Sequence, residues 1–402
     1  MGGVPMKVLV IGGGASGMMA ALTAAEDPNN TVTLLERQNR LGRKLLATGN
    51  GRCNLSNLHA DVSNYHGTNP EFVKNALAAF SVEDTLAFFQ SIGLLTITEP
   101  SGKVYPYSDH ANSVVDILRF ALKNRNVDVR CGCEVISIGK KARGFNIKTN
   151  EESFFCDKLI IACGGIAGSK LGGTDLGYKL LGSMGHCRTE LSPSLVQLKT
   201  DTTYTKPLKG VRANAKLTLK RNGSVLLTNE GEVQFTDFGI SGPAVFEISR
   251  FAQSGDLVLL DLMQLMDENQ LAQFLSDKQQ TQPQMPLEDF LIGTVHNRLG
   301  RTILQQGGWT LSDPAGSIVC DKLAHLIKFF PIHITGTMGF DQAQVTAGGI
   351  ETSQFRSDTL ESRLHPGLFA AGEVLDIDGD CGGYNLQWAW SSGRVAGKLG
   401  GK

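Results

Sequence analysis

A chain of 402 residues with 41% hydrophobic residues is long enough for two or three domains, each with its own core. Its 38 Lys and Arg against 39 Asp and Glu leave a formal net charge of −1, which argues against a nucleic-acid partner and leaves only a local basic patch open to one. No uninterrupted apolar run reaches the roughly 20 residues that cross a bilayer, and eight scattered cysteines read as reduced thiols of a cytoplasmic protein rather than as a disulfide framework.

At the start, Met1-Gly2 lacks the Ser or Thr at position 6 that an N-myristoylation signal needs, and the segment after Met6 is too Gly-rich for a secretory leader. Residues 8–11 predict a strand, Gly12-Gly13-Gly14-Ala15-Ser16-Gly17 a turn, residues 18–25 a helix, and residues 31–36 a second strand ending in Glu36. Gly12 turns sharply off the strand, Gly14 lets the backbone approach a pyrophosphate, and Gly17 lets the helix lie close to the sheet. The helix that follows points free N–H groups and its positive dipole end at the phosphates. Glu36 lies 22 residues after Gly14, where a carboxylate accepts hydrogen bonds from an adenosine ribose, with Arg37 beside it. Strand, helix, strand and acid in register predict dinucleotide binding, with FAD and NAD both open at this point.

Residues 41–57 follow, rich in Gly, Asn and Arg. Such a loop packs its backbone against a flat ligand, and Arg43, Lys44 and Arg52 can offset phosphate charge while Asn54 contacts the middle of the cofactor. Cys53 has no second cysteine four residues away, so a dithiol mechanism is not expected. Residues 69–94 have helical spacing, residues 103–107 extend into a strand, and Ser108 or Asp109 is positioned to cap a helix through Val115, Leu118 and Leu122. Residues 127–138 read as one strand with Cys131 and Cys133 on one face. Neither a second cysteine pair nor clustered His completes a zinc site there, so no metal is expected. Val135 sits where a backbone amide and carbonyl meet an adenine edge. The apolar run 158–163 predicts a strand buried in a parallel sheet, and no later segment repeats the full glycine-turn pattern.

Near Leu191 the pattern changes. Val211, Ala213, Ala215, Leu217 and Leu219 alternate with polar residues as a half-buried strand, and Arg221-Asn222-Gly223-Ser224 turns it into a hairpin. Residues 232–236 and 257–262 supply further strands around a loop over 238–243, and residues 266–330 shift to helical spacing with three short helices. The chain then returns to a short strand over 368–373 that stops at Gly372 and Glu373. Asp376 and Asp378 follow, then Gly382-Gly383-Tyr384-Asn385 and a helix over 386–395. A calcium loop starting at Asp376 would need Gly at its sixth position and Glu at its twelfth, and finds Cys381 and Gln387. Instead Gly383, Asn385 and Leu386 suit the pyrimidine side of an isoalloxazine, where the helix dipole stabilises the anionic N1 and C2 carbonyl of reduced flavin, with Asp376 or Asp378 at the ribityl hydroxyls. This second, distant site favours FAD.

Gly42-Arg43-Lys44, Gly51-Arg52-Cys53-Asn54, the stretch 238–243, Val345-Thr346-Ala347-Gly348-Gly349 and the stretch 371–387 together resemble the BaiN-like, or aminoacetone-oxidase-like, flavoprotein family. The resemblance implies an α/β fold: an FAD-binding, Rossmann-like domain of the two-dinucleotide-binding-domain flavoprotein type. It also implies an inserted β-barrel-like plus helical domain that covers one face of the flavin. The domains expected are 1–190 and 334–402 for FAD, with 191–333 inserted, β-rich over 191–263 and helical over 264–333. Proteins it resembles are assigned amine oxidation or reduction of conjugated carbon–carbon double bonds. The reading is an FAD-dependent oxidoreductase passing a hydride through flavin N5 to or from a small-molecule substrate, with NADH or NADPH as electron donor and Tyr384 as candidate proton donor. Alternatives are an NAD(P)-dependent dehydrogenase, which would be colourless, and a flavin-binding redox sensor without turnover. An RNA-modifying flavoenzyme would need a concentrated basic face. Substrate and oligomeric state are left open.

Overall fold

Strands made almost wholly of Val, Leu and Ile have no polar face for water and pair in parallel inside a covered sheet. In the computed structural model, which describes residues 6–401, five strands form one parallel sheet in the order Leu368–Ala370, Lys158–Ile161, Met6–Ile11, Asn30–Glu36, Asp128–Cys131. The Met1-Gly2 reading falls outside the described residues. Val10 pairs with Ile160 on one side and Leu34 on the other, and all three are fully buried. The strand from the far end of the chain therefore joins the same sheet as the first, with one strand between them.

The first helix, Ala15–Ala24, is buried from Ser16 to Ala24. A helix apolar all round must be covered on every side. The sheet supplies part of that cover and the last helix, Tyr384–Gly397, another part. Contact is close because Gly393 and Gly397 carry no side chain. A Cβ on Gly393 would lie 2.4 Å from the Ser16 carbonyl oxygen, and one on Gly397 2.5 Å from Thr23 Cβ. As the last helix advances from 393 to 397, its neighbours advance from Ser16 to Ala20 and Thr23, so the two helices run parallel.

By contacts the chain forms two compact units, Met1–Ser192 with Gln344–Lys402, and Pro193–Ala343. The second unit holds a closed barrel of six antiparallel strands in the order Leu198–Thr200, Gly239–Ser241, Ser224–Phe235, Arg212–Arg221, Leu257–Asp261, Phe330–Thr337. Inside it Ala215, Leu217 and Leu219 are fully buried, as the alternation requires. Asn222 and Gly223, with φ of 50° and 84°, make the hairpin turn.

Several expectations need correction. The chain leaves the barrel unit after residue 343 rather than 333, because Phe330–Thr337 is the strand that closes the barrel. Residues 225–227 and 232–235 fall in one strand, Ser224–Phe235, since pairing to the facing strand carries through Gly231 between them, and Thr236 lies beyond it. The expected loop at 238–243 is the strand Gly239–Ser241 followed by the helix Pro243–Ser249, with Pro243 in the first helical turn where its missing N–H costs nothing. Four helices, not three, occupy 266–330: Glu268–Thr281, Leu287–Phe290, Asn297–Gln306 and Cys320–Lys328. Gly132, at φ 76°, breaks the expected strand 127–138 into Asp128–Cys131 and Val135–Lys140, which enter different sheets. Cys131 is thus exposed and Cys133 buried. The helix Ala111–Asn124 is capped by the His110 ring nitrogen, which accepts from the Asn112 amide, rather than by Ser108 or Asp109.

Replacing Gly393 by Ala is expected to lower the urea midpoint by the equivalent of about 1–3 kcal/mol, since backbone rather than a flexible side-chain end must move. In the barrel unit Asp256 receives Arg221 Nε and Nη2 at 2.8 and 2.9 Å, and the guanidinium holds its carboxyl below the usual carboxylate range. A depressed folded value means stability present above about pH 4 and lost as pH falls through the folded value. Melting temperatures recorded from pH 7 down to pH 3 should show that loss in the wild type, and Asp256→Asn should melt lower at pH 7 with a shallower acid dependence.

Candidate functional site

The glycine turn is built by three separate steric demands. A Cβ on Gly12 would lie 2.3 Å from the Ala162 carbonyl oxygen, and one on Gly17 1.8 Å from the Gly12 oxygen. On Gly14, which caps the first helix, a Cβ would meet nothing within 4 Å. No side chain caps that helix, so its first N–H groups and positive end face this open side. Ala15 and Ser16 form the first turn, with Ser16 Oγ 3.4 Å from the Ala371 carbonyl. A Cβ on Gly372, at φ 76°, would come within 2.5 Å of that same oxygen.

At the end of the second strand Glu36 Oε2 accepts from the Gly13 amide and Oε1 from the Gln38 amide, both at 2.7 Å. These bonds aim the carboxylate at the mouth of the turn. The Cys133 amide, two residues before the strand Val135–Lys140, donates to the Glu36 carbonyl. Arg37 turns away, donating to the Gly172 and Gly173 carbonyls at 2.9 and 3.3 Å. Arg43 donates to Gln38 Oε1 at 2.6 Å and, with Asn39, Arg40, Leu46, Ala47 and Leu171, lines an open cavity of about 480 Å³.

Lys44 and Glu373 form an ion pair of 2.8 Å, while Glu373 Oε1 accepts from the Thr346 amide. Arg52 is held by Asp109 and, at 3.0 Å, by Glu99, and lies 3.9 Å over the Tyr105 ring. The segment after it is bolted to the last helix. Ser56 Oγ donates to Gln387 Oε1 at 2.6 Å, Trp390 Nε1 to the Leu55 carbonyl at 2.9 Å, and Asn57 Nδ2 to the Gly382 carbonyl at 2.9 Å. Gly383, at φ 103°, heads the last helix without a side-chain cap, and a Cβ there would lie 2.3 Å from the Ser56 oxygen. Beside it Asn54 Oδ1 is buried and has no protein partner.

Asp376 Oδ2 is taken by the Thr68 amide and hydroxyl at 3.0 and 2.7 Å, and Asn385 holds the Gly379 amide and carbonyl at 2.8 and 2.7 Å. Leu386 lies half-buried in the first turn of the last helix. Tyr384 stands edge-on to Tyr65, with ring centroids 6.5 Å apart. The Lys44–Glu373 pair and the buried Gln387 hub escaped the sequence reading, because each joins positions more than 300 residues apart.

Cys53, with φ 62°, is fully buried, and burial pushes its thiol up to about 12. Such a thiol is held protonated, away from the thiolate that nucleophilic chemistry uses. Among the described residues no three His, Cys, Asp or Glu converge as a metal site, and no helix is long and apolar enough to cross a membrane. Two parallel, uncapped helix ends, an open Gly14 and an orphaned buried Asn54 oxygen suit an extended ligand with one anionic group at each helix end. FAD has that form: a pyrophosphate for the first helix and an electron-accepting pyrimidine ring for the last.

Residues 6–399 match the family described as HI0933-like protein Rossmann domain. The chain is 40% identical over 402 residues to the 3-dehydro-bile acid delta(4,6)-reductase of Clostridium scindens, covering 98% of each chain. It is 34% identical over 393 residues to the ribosomal RNA dihydrouridine synthase of Escherichia coli, covering 96% of this chain and 95% of that one. Among solved structures, the 3-ketosteroid delta1-dehydrogenase from Sterolibacterium denitrificans superposes with a TM-score of 0.48 at 13% identity over 98% of this chain and 99% of that one.

Two substitutions separate the roles of the glycines. Gly14→Val is expected to leave apoprotein melting near wild type while lowering FAD affinity at least tenfold, about 1.4 kcal/mol, measured by flavin fluorescence titration. Gly12→Ala should instead unfold the protein, since its Cβ strikes backbone.

Proposed function

The chain belongs to the HI0933-like Rossmann family and is an FAD-dependent oxidoreductase, and from that premise we propose that it reduces a carbon–carbon double bond conjugated to a carbonyl, with NADH or NADPH as electron donor. One observation carries this reading: the 40% identity, over 98% of both chains, to a protein named for reducing a delta(4,6) unsaturation in a 3-dehydro bile acid. We therefore place a planar, apolar enone first among substrates.

When bound, FAD carries two electrons as a hydride between its N5 and a substrate carbon. The residues of this chain bind and orient it. In this reading the amides after Gly14 hold the pyrophosphate, Glu36 the adenosine ribose, and the backbone at Val135 the adenine edge. Asn54 and the N-terminus of the last helix from Gly383 to Leu386 hold the flavin ring, and the helix dipole favours negative charge gathering there. Lys44 and Glu373 neutralise each other, so they line the site without adding net charge. Arg37, Asp376 and Asn385 act by fixing the loops around the cofactor, through the bonds they make to protein groups.

A second reading has its own support, the 34% identity to an enzyme named for making dihydrouridine in ribosomal RNA. The 5,6 double bond of uracil is also conjugated to a carbonyl, so the chemistry is the same and only the substrate differs.

Purified protein should be yellow, and its flavin bands should bleach when NADH or NADPH is added without oxygen. A 3-oxo-4,6-diene steroid acid should then restore the bands and gain two hydrogens by mass spectrometry. Restoration by unmodified ribosomal RNA but not by the dienone would transfer the assignment to the second reading. Bands that never bleach, with amines as the only reductants, would overturn both.

A further inference from the structure

Conjugate reduction moves a hydride and a proton, and only the hydride comes from the cofactor. The proton donor has to stand near the flavin-facing end of the last helix, be held in one orientation and be refilled from solvent. Several groups that could carry a proton stand near that end. Tyr65 is buried, its hydroxyl donates to the Tyr384 carbonyl at 3.0 Å, and burial raises its phenol far above the ordinary range. Cys53 is buried and equally reluctant to ionise. Lys103 brings its Cε near Gly382, but among the described residues no group bonds its ammonium, so it is not held in one orientation. Tyr384, Cys381 and His66 remain.

His66 is mounted differently from the other two. The short strand Tyr65–His66 pairs with Asp378–Gly379, His66 opposite Asp378 and Tyr65 opposite Gly379. The Asp380 amide donates to the Asn64 carbonyl at 3.0 Å. Asp380 Oδ1 meets His66 Nε2 at 2.7 Å, and its Oδ2 receives Asn64 Nδ2 at 3.2 Å. Both side chains keep about a quarter of their surface exposed, 28% for His66 and 27% for Asp380, so water reaches the ring. Asn385, in the first turn of the last helix, clamps this ladder to the helix end through Gly379 and through the Asp380 carbonyl at 3.3 Å. Imidazole, carboxylate and helix terminus thus form one rigid piece. Asp380 is bonded to the ring, and Asp378 stands opposite His66 across the ladder.

We propose that His66, oriented by Asp380, delivers the proton in the double-bond reduction; the inference rests on the function proposed above. A carboxylate only accepts, so Nε2 keeps its hydrogen toward Asp380 and Nδ1 carries the transferable proton. The hydride adds to the carbon β to the carbonyl, and the π pair moves toward the carbonyl as an enolate. The Nδ1 proton is then transferred to the α carbon. The substrate has gained two electrons and two hydrogens, the ring is left neutral, and water recharges it. Asp380 is the positioning residue.

The test uses FAD-loaded protein in anaerobic stopped flow, with NADPH and then the 3-oxo-4,6-diene steroid acid or ribosomal RNA, whichever restores the wild-type bands. His66→Gln should keep its FAD content and bleach within twofold of the wild-type rate, while band recovery slows about 100-fold. Asp380→Asn should slow recovery less. Nitrogen-15 NMR of the ring, a readout independent of turnover, should show hydrogen on Nε2 in the wild type and lose that preference in Asp380→Asn. Recovery at the wild-type rate in His66→Gln, or a loss confined to Cys381→Ser, overturns the dyad alone. Wild-type protein that bleaches but recovers with neither acceptor overturns the function and the dyad together.

Discussion

Two helices from opposite ends of the chain touch at backbone distance, and the candidate site follows from that contact. Gly393 and Gly397 bring the last helix onto Ser16, Ala20 and Thr23 of the first, with no side chain between. Parallel alignment puts both positive helix ends on the same side. Because Gly393 lies level with Ser16, the last helix begins about nine residues upstream of that level, a stagger of roughly 14 Å at 1.5 Å per residue. In the function proposed, one helix end would meet a phosphate and the other a ring further along the same extended ligand. Any larger residue at 393 or 397 would separate the helices and change that spacing.

Around this frame most polar side chains are spent on the protein itself. Glu36 holds two amides, Arg37 two carbonyls, Asp376 the Thr68 amide and hydroxyl, and Gln387 joins Ser56, Thr85 and Ser391. Buried polar groups left unsatisfied cost about 1–3 kcal/mol each, so such bonds fix the loops before any ligand arrives. What stays unspent is informative: the open face of Gly14, the two uncapped helix ends and the Asn54 oxygen. A preorganised set of donors and dipoles needs no rearrangement when charge develops on the ring.

The thiols point the same way. Burial holds Cys53, Cys156 and Cys163 at about 12, far from the thiolate that exchange chemistry requires. The barrel unit meanwhile has its own core, from Leu217 and Phe235 to Leu271 and Ile303, and its own Arg221–Asp256 pair, in which the carboxylate is buried.

Local pattern was enough for whatever depends on neighbours in the chain. The glycine turn with its two strands, the Asn222-Gly223 hairpin, the alternation over 211–219 and the buried strand at 158–161 could be read directly, because side-chain period and backbone permissiveness act over a few residues. The long motifs carried the family and, with it, the flavin. Tertiary structure alone decided the rest. It split the strand at Gly132, ran the barrel on to Thr337, set Arg52 between Glu99 and Asp109, and paired Lys44 with Glu373 and His66 with Asp380. Those outcomes depend on which distant groups arrive beside a residue when the sheet closes. A charged side chain takes the nearest partner that removes its desolvation cost, and nothing in the sequence around Arg52 or His66 says which partner that will be.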